Sequence, residues 1–263
     1  MSEGDFVRLT RQGSLAEIVL SNPERRNVVN LAFARQLRAC ASSCASDPAI
    51  RAVLMRAEGA SFCVGGDLAE FHALGPARQD YLSEIATEFH AAQALLMTMR
   101  PPLVVAVQGS AAGAGLGLAL VGDIVLAAES ASFTVAYTAV GLSADGGSTY
   151  LLPRLVGLRR AQELMLTNRR LTSAEALDWG LITALAPDDQ LRPEAEQMVL
   201  RLSAGPAAAQ ASIKALLAET HQHSFFEQTD LETREVVRNA GRADAAEGIS
   251  AFVGKRQPRF RGD

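Results

Sequence analysis

Gln108-Gly109-Ser110-Ala111-Ala112-Gly113-Ala114-Gly115-Leu116-Gly117-Leu118-Ala119 is the stretch around which this 263-residue chain is organised. It follows an apolar run, residues 103–107, that reads as a buried strand bounded in front by Pro101-Pro102. The residues after it stay small and apolar to Val121, as a tightly packed helix requires. Strand, glycine turn and helix start together aim unpaired backbone N–H groups at one point. A group that is negative, or becomes negative, would sit there.

Outward from this stretch, strands and helices alternate irregularly. Residues 6–11 and 15–20 predict a strand pair around Gln12-Gly13. The polar turn at 21–27 carries the adjacent Arg25 and Arg26 and by its residues alone reads as a solvated loop. Leu31, Phe33, Leu37 and Cys40 to Cys44 keep helical spacing up to Asp47-Pro48. Residues 52–57 predict a buried strand, and Ser61-Phe62-Cys63-Val64-Gly65-Gly66-Asp67-Leu68 forms a second glycine turn directly after it. Residues 80–99 predict a long helix whose apolar face includes Leu82, Ile85, Phe89, Ala92 and Leu96, with His90 beside that face. Further strands are expected over 123–128 and 132–135, a turn over 141–149 and a helix over 159–166. Thr172-Ser173-Ala174-Glu175 predicts a capping box for a helix that Gly180 ends. A helix over 190–204 precedes Gly205-Pro206, which divides the chain into 1–204 and an all-helical 205–263.

A hydrophobic share of 48% with 21% charged residues is that of a soluble globular protein with a real core. The net charge of −4 offers no field for nucleic acid or an anionic membrane surface. No apolar run reaches the length of a membrane span, and residues 1–5 lack a basic start followed by an apolar core. A cytoplasmic location is the expectation. Cys40, Cys44 and Cys63 form no spaced framework and predict reduced thiols.

The glycine stretch contains no lysine, which rules out a P-loop, and Gly113, Gly115 and Gly117 alternate where a dinucleotide fingerprint needs G-x-G-x-x-G. His221 and His223 have no acidic or thiol partner nearby in sequence, so no metal site is expected. A G-x-S-x-G nucleophile elbow is absent. Two glycine turns remain, around Gly66 and Ala114, able to present backbone donors. One such donor in an oxyanion hole contributes about 2.7–4 kcal/mol to catalysis.

Taken in order and spacing, these pieces resemble the crotonase (enoyl-CoA hydratase/isomerase) superfamily along nearly the whole chain. The resemblance is carried by Arg25-Arg26-Asn27, residues 62–68, residues 108–115, Asp145-Gly146-Gly147-Ser148-Thr149, residues 176–181 and residues 251–256. It implies an α/β fold, a ββα spiral core followed by a helical trimerisation region, and a homo-trimer or hexamer. It also implies an acyl-CoA substrate, with coenzyme A entering as part of that substrate and no separate cofactor. By the same resemblance the N–H groups of Gly66 and Ala114 hold the thioester oxygen. Phe62, Val64 and Asp67 line the CoA channel, and Arg25 or Arg26, with Lys255 across a subunit boundary, meet the CoA phosphates.

Two departures direct the chemistry. The glutamates that manage water in hydratases fall at Gly117 and Tyr137, so both carboxylates are missing. Asp145 stands instead where some isomerases and the 4-chlorobenzoyl-CoA dehalogenase place a working aspartate. The resemblance therefore implies an enoyl-CoA isomerase with Asp145 as acid/base. The alternative is dehalogenase-like hydrolysis, with Asp145 as nucleophile, His90 as base and Tyr137 in the place of a tryptophan. A third reading is a non-catalytic acyl-CoA-binding or assembly subunit.

Overall fold

The computed structural model describes residues 4–263; the expectation of a leaderless start falls partly on residues 1–3, outside them. Strands β1 (Val7–Gln12) and β2 (Leu15–Leu20) form the antiparallel pair. Helix α1 (Leu31–Ser46) starts at Asn30, whose side chain accepts the Phe33 N–H. Strand β3 (Ala52–Ala57) leads to α2 (Leu68–Leu74) and α3 (Arg78–Thr98). Strand β4 (Leu103–Val107), short strand β5 (Ser110–Ala112) and α4 (Ala114–Leu120) make up the opening stretch. Next come β6 (Ile124–Ala128), β7 (Ser132–Thr134), α5 (Ser148–Val156) and α6 (Leu158–Thr167). Strand β8 (Leu171–Thr172), α7 (Ser173–Asp178), β9 (Ala184–Ala186) and α8 (Leu191–Ser203) complete the part before Gly205. Helices α9 (Ala207–Glu219), α10 (Phe225–Ala240) and α11 (Ala243–Val253) follow.

Six strands form one sheet in the order β1-β2-β3-β4-β6-β9, and three form a second in the order β5-β7-β8. All pairs from β2 to β9 in the large sheet are parallel. An isolated bridge, Cys63 to Ala111, adds the loop after β3 to the small sheet. Each turn of chain thus lays one strand in the large sheet and one short piece in the small sheet, then a helix. This is the spiral of ββα units expected from the sequence, and helices follow it to the C-terminus. The near-continuous apolar runs of β3 and β4 reflect burial on both faces, as parallel strands between layers require.

Several elements were not expected. Helix α2 forms because the Asp67 side chain accepts the Glu70 N–H, the cap that ends the second glycine turn. Strand β5 is short and lies inside what reads as a glycine turn, and β8 and β9 are only two and three residues long, too brief for an alternation pattern. Thr172 and Glu175 make the predicted capping box.

The helices after Gly205 are tied to the core by Lys214 of α9. Its ammonium donates to Leu96 O at 3.0 Å and Pro101 O at 3.3 Å, and pairs with Asp123 Oδ2 at 2.7 Å. Asp123 also accepts the Leu103 N–H at the start of β4. Burial pushes the Asp123 carboxyl up and the Lys214 ammonium down, partly offset in each by the attraction of the other.

Candidate active site

The two glycine turns meet. Cys63 N–H donates to Ser110 O at 3.2 Å, and Ala112 N–H donates back to Cys63 O at 2.9 Å. On its other side the 61–68 turn pairs with Val29, which donates to Gly65 O at 2.8 Å and accepts the Asp67 N–H at 3.1 Å. In such a parallel bridge the middle residue, Gly66, points its own N–H to the opposite edge. Ala114 is the first residue of α4, so its N–H has no partner within the helix. Among the described residues neither amide donates to any acceptor. Both Gly66 and Ala114 line a cavity of about 270 Å³.

The turn is set from behind by Asn27, fully buried and left-handed at φ 56°. Its side-chain amide donates to Glu58 O at 3.0 Å and Ser61 O at 2.9 Å, and its carbonyl accepts the Asn22 N–H at 2.9 Å. The 21–27 segment is therefore stitched to the residues just before the glycine turn.

Asp145 lies on the cavity wall, the single carboxylate among the described lining residues. His90 Nε2 stands 2.7 Å from its Oδ1, with both side chains nearly half exposed. His90 braces Asp145 from outside the cavity, which it does not line. One helical turn further along α3, the buried Gln93 donates its amide to Gly146 O at 3.0 Å. Helix α3 therefore holds both the carboxylate and the backbone of the Asp145-Gly146 turn.

Tyr137 lines the same cavity, and its hydroxyl is buried without a hydrogen-bond partner among the described residues. Such a group costs about 1–3 kcal/mol. Burial and the nearby Asp145 charge push the phenol above its ordinary pKa, so it stays protonated. Ala136 just before it is left-handed at φ 64°, a conformation unfavourable for alanine. Burial pushes the Cys63 thiol up to about 12, which leaves it inert as a nucleophile.

The structure places the other expected residues as follows. Val64 lines the cavity. The Phe62 side chain is wholly buried in the core, which leaves only the backbone of this residue to face a channel. The Asp67 carboxylate caps α2 and forms an ion pair with Arg25 at 2.6 Å, which anchors the end of the turn. Arg26 donates Nε to Ser61 Oγ at 3.3 Å. Lys255, left-handed after α11, is exposed and away from the cavity lining. Phe71 and Gln93 are not singled out by the sequence, and Phe89 only as part of the apolar face of α3. Gln93 had one signal, a polar residue within the apolar stripe between Phe89 and Leu96.

Apolar walls, two free amides and one braced carboxylate can stabilise a developing oxyanion while moving a proton beside it. Among the described residues no group of three or more His, Cys, Asp and Glu could hold a metal ion, and no helix is long and apolar enough to cross a membrane.

Known proteins share this fold. The family model for enoyl-CoA hydratase/isomerase matches residues 10–263. The chain is 36% identical to a 1,2-epoxyphenylacetyl-CoA isomerase from Escherichia coli strain K12, over 98% of this chain and 99% of that one. It is 29% identical to 4-chlorobenzoyl coenzyme A dehalogenase-2 from Arthrobacter sp, over 95% and 91%. The crystal structure of an enoyl-CoA hydratase from Polaromonas sp. JS666 matches with a TM-score of 0.92 at 34% identity, covering 97% of this chain and 99% of that one. The chain belongs to the enoyl-CoA hydratase/isomerase family, the crotonase superfamily.

Proposed function

We propose that this protein is an acyl-CoA isomerase that moves a carbon–carbon double bond, with Asp145 as the acid/base group. The observation that carries the reading is the position of Asp145, the single carboxylate among the described residues on the wall of the cavity that the free Gly66 and Ala114 amides line. Asp145 removes a proton from C2 of a 3-enoyl thioester, and the electron pair spreads to the thioester oxygen. The two amides hold that oxygen, and the same carboxyl returns the proton to C4. One group suffices because the proton is moved, not consumed. Water addition would need a second positioned acid or base, and Gly117 and Tyr137 provide no carboxylate for it.

Coenzyme A enters as part of the substrate, with Arg25, Arg26, Val64 and Lys255 proposed as its contacts and no separate cofactor. A homo-trimer or hexamer is supported by the exposed Phe225, Phe226, Val236, Val237, Phe252 and Val253 on the last two helices. A cytoplasmic location is supported by three buried free thiols.

The test is to mix the enzyme with a 3-enoyl-CoA and follow the conjugated product. Asp145→Asn should lower kcat by about 10²–10⁴; full activity in that variant overturns the assignment. The contact between His90 and Asp145 favours one second reading, hydrolysis of a halobenzoyl-CoA with Asp145 as nucleophile and His90 as base. Halide release that depends on both residues would establish it.

A further inference from the structure

The cavity wall beside Gly66 is an aromatic ring. Asp67 caps α2, and Phe71, four residues on, leans back over the preceding turn as helical side chains do. A Cβ on residue 66 would lie 2.8 Å from Phe71 Cε2 and 3.1 Å from Cζ, so the ring occupies the place of the side chain that Gly66 lacks. Tyr81 of α3 meets this ring edge-on, with centroids 6.3 Å apart and planes at 72°. The Tyr81 hydroxyl in turn accepts the Leu31 N–H at 3.3 Å. Phe71, only 6% exposed, is held in place before any ligand arrives.

Phe89 and Tyr137, also on the cavity lining, stand beside the Asp145-Gly146 turn. Phe89 Cε1 is 3.4 Å, and Tyr137 Oη 3.5 Å, from the place of a Cβ on Gly146. Three of eighteen lining residues are aromatic in a chain with 5% aromatic content, so rings are concentrated at this cavity. Aromatic rings prefer offset or edge-to-face partners, because their faces are negative and their edges positive. A planar ring placed among them can adopt such arrangements, whereas a saturated ring of the same size has no quadrupole with which to do so.

We propose that the cavity selects acyl groups carrying a planar unsaturated ring close to the thioester, and that Phe71 is the residue that sets this specificity. The proposal rests on the reading of the cavity as the acyl end of a CoA thioester site. With the thioester oxygen at the Gly66 and Ala114 amides, a ring one or two carbons away falls beside Phe71. The proton that Asp145 moves is then on the ring or on the carbon next to it.

The experiment is calorimetric titration of the full-length protein with phenylacetyl-CoA, cyclohexylacetyl-CoA and free CoA. The two thioesters have the same carbon count and differ in planarity and π-electrons. Wild-type protein is expected to bind phenylacetyl-CoA about 3- to 10-fold more tightly than cyclohexylacetyl-CoA. Phe71→Leu is expected to bring that ratio to about one. A wild-type ratio at or below one overturns the proposal, as does an unchanged ratio in Phe71→Leu. The wild-type ratio needs no variant, so it decides the question even if the substitution harms folding. Equal binding of both thioesters overturns ring selection alone; no binding of CoA or either thioester overturns the acyl-CoA reading of the site as well.

Discussion

The carbonyl oxygen of Gly146 lies 2.1 Å from the place a Cβ on Gly117 would occupy. Helix α4 and the Asp145 turn therefore interpenetrate, and the absence of a side chain at 117 is what lets the turn dock. The bare position at 117 and the placement of the Asp145 turn are two sides of one packing arrangement. A side chain at 117 and the Asp145 turn in its present position exclude each other.

Gly117→Glu should accordingly fail to create a hydratase. It should displace the turn and lower isomerase kcat/KM by about 100-fold, since small misplacements of reacting groups carry losses of that order. Assaying hydration of a 2-enoyl-CoA and isomerisation of a 3-enoyl-CoA on the same preparation checks both halves.

Gln93 should behave as a positioning residue for Asp145. Gln93→Leu leaves the Gly146 carbonyl without its partner, a loss of about 1–3 kcal/mol in stability. It should lower kcat by about 10-fold, with KM changed little, because the thioester contacts stay in place. A melting curve beside the kcat and KM values separates this from a structural effect alone, which would lower Tm and leave kcat of the folded enzyme intact.

Lys214→Met should loosen the helices after Gly205 from the core. It leaves Asp123 and two carbonyls without their ammonium, and removing one partner of a buried pair costs about 3–5 kcal/mol. The lower end is expected, because the Asp123 side chain remains 30% exposed. Adding Asp123→Asn should recover part of the loss in a urea unfolding series.

Acid should weaken the fold through Glu175 and Glu247. The Thr172 backbone N–H and Arg169 hold Glu175 at about 2, and Arg256 with the Arg259 N–H holds Glu247 at about 2, both below the ordinary value of 4.5. Each carboxylate is more easily ionised when folded, so its contribution is present above pH 4.5 and is lost as pH falls towards 2. Glu175→Gln and Glu247→Gln should each flatten the fall of Tm over that window; an unchanged slope would show that other carboxylates govern it.

Much of this was legible along the chain because it is local. The period of α1 and α3, the apolar runs of β3 and β4, the Thr172–Glu175 capping box and the glycine turns depend on residues within a few positions of one another. The order of motifs carried the family, and the absence of carboxylates at 117 and 137 directed attention to Asp145. The burial of the Phe62 side chain and the Arg25 pairing of Asp67 are not visible in a glycine turn read by itself.

What the sequence by itself determined is the fold and the two glycine turns with their potential donors, beside which it leaves Asp145 as the carboxylate expected to work. What only the tertiary structure decided is how that carboxylate is held and what surrounds it. His90 meets Asp145 across 55 residues and Gln93 meets Gly146 across 53, contacts that no periodicity encodes. Phe71 fills the space that Gly66 leaves, and Gly146 fills the space that Gly117 leaves. Glycine in a sequence reports that a side chain is missing; only the packed chain shows which neighbour has taken its volume.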